Sequence, residues 1–571
     1  MIVYGDRSDV VDAGAERGAL AAAFARLPAF PPGLPRHGAL IAAFTRLGQL
    51  VQGLADRDRA AAGADGASLA EAALMPALVA VARAVLASWQ SGFAHLAPLP
   101  NLPSVPPGDV ELRLPEGYAY YALYPEAYAL AADKLAPAGE PRVVGLRSIG
   151  TGLAAIVAAR LGAAPPLTVR PVGHPFARRI ELAPAAEAAL LDDAPHVHFV
   201  VVDEGPGLSG SSFAAVGAWL AARDVPLARV AFVTGHSGGP GGQADKNVRH
   251  IWAGVRRASA DWHELIPPAT LRAWVATLVP LADEPLVDLS GGAWRALRYL
   301  DETTWPAVDP GRERIKFGAR AADGGRVLIK FAGLGAVGEA KLARARMLHV
   351  AGLAPEPLGA VHGFLVERWA EGDVPGPADR TAVARYLGAR AHLFGDAPRG
   401  GASLVALHAM AMHNLAEALG PDGARVLDRW SERLDALAAR ARPMPVDGKL
   451  DRHEWVRVVD GALLKTDALD HDGAHDLIGA QDLAWDAAGA LVEWEVADAP
   501  AFLAALDEAA PRAVDRELLA FLLPCYVAFR LGGAKLAEAS LGGWPEEAAR
   551  NRVAAARYAA ALARWADAPL A

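Results

Sequence analysis

Apolar residues fall in two different rhythms along this chain of 571 residues. Between about residues 140 and 260 they come as short unbroken runs, at 142–146, 199–202 and 227–235, and the first two lead through small-residue turns into apolar stretches at 153–161 and 213–222. Runs of that length between turn residues predict buried strands of a parallel sheet, with the longer stretches as crossover helices. Between the first two units, residues 167–182 read as strand, polar loop and strand. Upstream, 39–54 and 68–89 carry helical spacing around an Ala/Gly/Asp loop at 60–67, and a proline-rich linker follows at 98–107.

From about residue 297 the pattern changes. Short strands at 326–331 and 364–369 flank a helix at 339–349 and a turn at 352–359. Helical spacing then dominates, at 381–393, 403–419 and 423–440, and again at 501–509, 515–531 and 546–566, with Pro524 predicting a kink. The expected organisation is a helical segment at 1–108, an α/β parallel-sheet domain at 109–285 and an α+β domain at 286–571.

Composition narrows the partners. Lys and Arg number 56 against 65 Asp and Glu, a net charge of −9, and no basic block tracks a phosphate backbone, so nucleic acid is not an expected partner. One cysteine, Cys525, excludes an intramolecular disulfide and a multi-cysteine metal site. The first nine residues lack a charged-then-apolar leader, and Glu71 and Arg83 interrupt the most apolar helix, so the expectation is a cytoplasmic protein without a membrane partner.

The richest stretch is Val200-Val201-Val202-Asp203-Glu204 followed by Gly205-Pro206-Gly207-Leu208-Ser209-Gly210-Ser211-Ser212. Two carboxylates at a strand end can accept hydrogen bonds from a sugar diol, and a small-residue turn opening a helix can cradle a phosphate. This resembles the PRPP-binding loop of type I phosphoribosyltransferases, with Glu204 where a second Asp is commoner and a spacer one residue longer. The resemblance implies Asp203 and Glu204 on the ribose and Gly207, Ser209, Gly210, Ser211 and Ser212 on the 5-phosphate. It also implies a pyrophosphate loop of Arg147, Ser148, Gly150, Thr151 and Gly152, and a mobile flap bringing Arg178 and Arg179 to the leaving group. Mg²⁺ and a small nitrogenous acceptor would complete the reaction. A Walker-type ATPase is the rival for an Asp-Glu strand end, but no Gly-x-x-x-x-Gly-Lys-Ser/Thr string occurs.

The second half resembles the aminoglycoside phosphotransferase and protein-kinase superfamily. Lys330 in Arg326-Val-Leu-Ile-Lys-Phe331 stands where the nucleotide-phosphate lysine belongs, Glu339 where its helix partner belongs, and Glu367 lies in the strand at the adenine hinge. A nucleotide, ATP, is the implied ligand. The catalytic loop aligns with Asp447-Gly448-Lys449-Leu450-Asp451-Arg452-His453-Glu454, which puts Lys449 at the catalytic-base position and Glu454 at the metal-binding Asn. Asp467 is the implied metal aspartate, and Asp482-Leu-Ala matches a later family segment. A lysine is no general base at neutral pH unless strongly desolvated, so a nucleotide-binding but degenerate kinase-like domain is expected. Asp451 or the His453–Glu454 pair are the substitutes for the base. Around Asp467, the residues Asp470, His471, His475 and Asp476 form a second candidate metal cluster, and Lys465 a candidate phosphate ligand. Three readings follow: a phosphoribosyltransferase fused to the degenerate domain, a PRPP or nucleotide sensor without turnover, and an active small-molecule kinase gated by the first half.

Overall fold

Five parallel strands form the sheet that the short apolar runs predict. In a computed structural model of the chain, which describes residues 1–135, 137, 139–207, 209–242, 244–376, 379–397, 401–469, 471–473 and 475–565, they run Leu167–Val169, Glu140–Leu146, Val197–Val202, Val230–Thr234, Arg256–Ser259. Helices Gly150–Leu161 and Ser211–Ala221 are the crossovers, starting two or three residues before the expected points. The first strand in sequence sits second in the sheet, so the order reverses between Glu140–Leu146 and Val197–Val202. That reversal opens a crevice at the carboxyl ends of the strands, where loops 147–150 and 203–210 face each other. A separate hairpin, Val172–His174 with Ala177–Arg179, lies against the second crossover helix.

The second sheet is antiparallel, in the order Val287–Asp288, Lys316–Arg320, Arg326–Phe331, Phe364–Arg368, Pro357–Val361, with helix Gly335–Val350 packed on it. A helical lobe follows, built around Leu483–Glu493, Arg516–Ser540 and Pro545–Trp565. This small sheet-plus-helix lobe ahead of a large helical lobe is the layout the kinase-like resemblance implies.

Packing crosses the expected segment boundaries. One continuous apolar core takes Leu47 and Val85 from the N-terminal helices, Val200 and Val202 from one face of the parallel sheet, and Ile329 and Val366 from the antiparallel sheet. Helices Leu34–Ala62 and Leu69–Gln90 therefore build the wall of the α/β unit and are not an appendage. Strand Ser8–Asp12 pairs with Asp109–Arg113, closing the segment on itself. The helical lobe has its own core around Trp485 and Tyr526, joined by Val3.

Two expectations for the helices are corrected. The stretch 423–440 is not one helix but Pro421–Ala424, a 3-10 turn Arg425–Trp430, and Leu434–Ala438. Leu427 and Trp430 are both buried, and their three-residue spacing aligns them on a 3-10 turn. Helix Arg516–Ser540 runs on nine residues past the expected end, with Pro524 inside it. That helix and Leu69–Gln90 are long and apolar enough to cross a membrane by length and composition, but most of each is buried within the fold.

Candidate functional sites

At the switch point of the parallel sheet, the chain leaves Val202 and presents Asp203 and Glu204. The Tyr128 hydroxyl donates to the Asp203 carbonyl at 2.8 Å, and Gly235 N–H donates to the Glu204 carbonyl at 2.8 Å, so the backbone of both acids is pinned. Neither carboxylate has a salt bridge among the described residues. Burial pushes Asp203 up to about 7 and Glu204 up to about 8, the latter helped by the charges of Asp203 and Glu116. The facing loop touches them: a Cβ on Gly150 would lie 2.7 Å from the Val202 carbonyl oxygen and 3.2 Å from an Asp203 carboxylate oxygen. Only glycine permits that approach.

The serine turn is more committed than its sequence suggests. Gly210 has φ +64° and donates to the Pro206 carbonyl, while the Ser209 and Ser211 hydroxyls are 3.0 Å apart. Ser211 donates its hydroxyl to the Pro175 carbonyl at 2.6 Å, tying the hairpin tip to the turn. Gly207 and Ser212 stay at least partly open. Leu208 lies outside the described residues.

The pyrophosphate-loop residues divide. Arg147 is buried and paired with Asp56 and Asp65, and it donates to the Thr168 hydroxyl at 3.1 Å. It is therefore corrected to a structural role, with its counter-ions supplied by the N-terminal segment. Thr151 is fully buried, and Gly152 lies under Phe44. Ser148 and Gly150 remain at the crevice. On the hairpin, Arg178 donates to the Gly173 carbonyl at 2.9 Å and Arg179 pairs with Glu181 at 2.9 Å, both at the exposed surface. The arginine whose charge reaches Asp203 is Arg170, at the end of strand Leu167–Val169, held by Asp56 and by the Arg147 carbonyl. Sequence reading passed over Arg170, although its position directly after a short strand was the available signal.

A cavity of about 1220 Å³ opens where the antiparallel sheet meets the helical lobe. Lys330, on the central strand, pairs with Glu367 on the next strand at 3.2 Å and donates to the Thr466 carbonyl at 3.2 Å. Glu339, expected to be that partner, is exposed. Its helix buries Gly338, Lys341, Ala345 and Leu348, a stripe that leaves position 339 one residue out of phase. Glu367 is thus corrected from hinge residue to counter-ion of Lys330.

Across the cavity, the catalytic-loop acids are fastened to cations. Asp447 accepts from the Tyr386 hydroxyl at 2.6 Å and pairs with Lys465 at 3.1 Å. Burial pushes this acid up, but Lys465 and His471 hold it well below the usual carboxylate range. The loop itself is hung on Asp486, which accepts the backbone N–H groups of Asp447 and Gly448 at 2.8 and 2.9 Å. Asp451 is locked in a bidentate pair with Arg530, and Lys449 pairs with Asp476 at 2.6 Å. Glu454 accepts from Lys465 at 2.6 Å, yet burial pushes it up to about 7. Asp467 is the open member, with 43% of its side chain accessible and His471 at 3.8 Å. Lys465 is fully buried between Asp447 and Glu454, so it serves these acids and not an incoming phosphate.

The wider metal cluster fans apart. His475 pairs with Glu116 at 2.8 Å, Asp476 with Lys449, and Asp470 lies outside the described residues. The His475–Glu116 contact joins the two sites, because the charge of Glu116 also reaches Glu204. Among the tyrosines at 118–121, Tyr118 is buried, Tyr120 donates to the Gly473 carbonyl, and the Tyr121 hydroxyl lies 3.2 Å from His475 Nδ1.

Comparison with known proteins adds little to this geometry. No protein-family model matches the chain, and no curated protein matches it. Solved structures similar to it include the choline kinase LicA from Streptococcus pneumoniae, at 14% identity over 51% of this chain and 98% of that one, with a TM-score of 0.34. A putative fructosamine-3-kinase from Thermobifida fusca is 16% identical over 51% of this chain and 98% of its own, with a TM-score of 0.30. A macrolide 2'-phosphotransferase type I is 15% identical over 50% and 95%, with a TM-score of 0.31. At such scores the likeness carries no weight beyond the residues already described.

Proposed function

We propose that the cavity is the nucleotide site of a kinase-like phosphotransferase, with Lys330 on the nucleotide phosphates and Glu454 as general base. The observation that carries this is Lys330, backed by Glu367 and bonded to the Thr466 carbonyl, lining a large cleft beside Asp467, an open carboxylate among acids that are otherwise fastened. Mg²⁺ accompanying a nucleotide needs one or two protein carboxylates, and Asp467 fits that requirement. Bound there, the cation would neutralise phosphate charge. Lys449 is spoken for by Asp476 and Asp451 by Arg530, so neither accepts a proton from an acceptor. Glu454, titrating near neutrality inside the cleft, is matched to that task. Calorimetry with ATP and Mg²⁺ tests the reading: wild type should bind, and Lys330→Ala should weaken binding about 10- to 100-fold, the worth of a charged hydrogen bond. Wild type giving no heat would remove the nucleotide from this site.

A second reading is favoured by the switch-point crevice, where Asp203 and Glu204 stand without salt bridges opposite Gly150. These acids would hold a sugar diol, and the turn at 207–212 a phosphate, in PRPP-dependent transfer to a small nitrogenous acceptor. The two crevice loops support it, while the burial of Arg147 and Thr151 narrows the pyrophosphate side to Ser148, Gly150 and their backbone. PRPP with Mg²⁺ raising the melting temperature of wild type but not of Asp203→Asn would support this site, and release of pyrophosphate would distinguish turnover from sensing.

A further inference from the structure

Three chain segments meet at a buried cluster that neither reading uses. His37 comes from helix Leu34–Ala62, Glu126 from helix Pro125–Leu135, and His362 from the turn between strands Pro357–Val361 and Phe364–Arg368. Their side chains are at most 1% accessible. His37 Nε2 lies 2.6 Å from Glu126 Oε1, and His362 Nε2 lies 3.5 Å from the same oxygen. The walls are aromatic: Trp89, Tyr124 and Trp274 ring His362, and Phe93 packs on His37.

A proton alone leaves this cluster incomplete. Sharing one between His37 and Glu126 satisfies those two atoms, but among the described residues Glu126 Oε2 and His362 Nδ1 have no hydrogen-bond partner, and His362 Nε2 has only its long 3.5 Å approach to Glu126. Buried polar atoms in that condition are few in native proteins and call for a cause, a bound ion among them. His37 Nδ1 is 3.0 Å from the Ser88 hydroxyl. Donating there fixes the tautomer that turns the Nε2 lone pair toward Glu126, the arrangement a metal-binding imidazole requires.

We propose that His37 Nε2, His362 Nε2 and the two carboxylate oxygens of Glu126 hold a structural divalent cation of the zinc class. Two imidazoles and a carboxylate without thiolate suit Zn²⁺. The 2.6 and 3.5 Å separations bracket the roughly 3.3 Å ligand spacing that tetrahedral bonds of zinc length impose. One ligand atom from each of the three residues already lies within 4.8 Å of the others. The cation accounts for Glu126 Oε2 and His362 Nε2, and it staples the N-terminal helices, the α/β unit and the antiparallel sheet at one point. With no solvent path along these side chains, it enters as the chain folds.

Elemental analysis of the purified full-length protein should find one zinc per chain, retained against chelator in the native state and lost when the protein is unfolded. Refolding with Co²⁺ in place of Zn²⁺ should give the visible spectrum of a four-coordinate nitrogen and oxygen site, and His362→Asn or Glu126→Gln should abolish it. Protein that refolds fully in excess chelator, with an unchanged melting temperature, overturns the proposal. So does a stoichiometric metal whose spectrum survives both substitutions, which would place it instead at Asp447, Glu454 and His471. The wild-type measurements decide the matter even if a variant fails to fold.

Discussion

The two candidate sites treat their carboxylates in opposite ways. At the switch point Asp203 and Glu204 are half-buried with no salt bridge among the described residues, and desolvation drives both up toward neutrality, offset only in part by Arg170 at Asp203. In the cleft, Asp447 is fully buried but Lys465 and His471 hold it well below the ordinary range, and the more open Asp467 is held low by His471 and Lys330. Glu454 is the exception, near 7 although Lys465 touches it. The difference teaches what each region is waiting for. On the readings proposed above, the cleft already carries countercharge for its acids, whereas the crevice would need a ligand or cation to balance its two carboxylates.

The sharpest test of that contrast is Glu454→Gln, which removes the one acid in the cleft poised to move a proton. Phosphoryl transfer should fall about 10²- to 10⁴-fold with nucleotide affinity little changed. In wild type the rate should rise with pH through about 7 as Glu454 loses its proton. A flat profile, or full activity in the variant, assigns the base elsewhere.

Next comes the countercharge itself. Lys465→Met leaves Asp447 buried without its closest cation and should cost about 3–5 kcal/mol in urea unfolding. A loss under about 1 kcal/mol would mean that His471 and Arg390 suffice, the level expected of an exposed pair.

The crevice predicts the reverse sign. Asp203 and Glu204 hold protons more tightly folded than unfolded, so their contribution is full below about pH 4 and is lost as pH rises through about 7 and 8. The double substitution Asp203→Asn with Glu204→Gln should flatten the fall in melting temperature expected of wild type between pH 5 and 8. Mg²⁺ with a sugar phosphate should flatten it too. An unchanged slope in the variant would show that these acids titrate normally.

Smallest is Arg178→Ala. Among the described residues the side chain bonds its own hairpin alone, so stability should change by no more than about 0.5 kcal/mol. A marked loss of sugar-phosphate binding in that variant would show that the hairpin moves to the ligand.

How far these sites were legible follows from which forces are local. The strands at 142–146, 199–202 and 326–331 announced themselves because burial on both faces demands unbroken apolar runs, and the turns after the first two because glycine and serine mark them. Lys330 and Asp203 were found because a charged residue amid or at the end of such a run is conspicuous, and Asp467 through the resemblance to the kinase-like superfamily. The partner of Lys330 was misassigned, since Glu367 reaches it from the neighbouring strand and not from the helix. Glu339 was chosen by analogy of spacing and failed by one residue of helical phase. Arg147 has the composition of an anion ligand, yet Asp56 and Asp65, some eighty to ninety positions earlier, had already neutralised it.

By itself the sequence determined where strands, turns and helices lie and which segments carry reactive side chains, because hydrophobic period and backbone preference act over a few residues. Only the tertiary structure decided which acids are free, which are paired and which are pushed toward neutrality. Charge and desolvation act through space, and the neighbours that set them are supplied by folding, not by proximity along the chain.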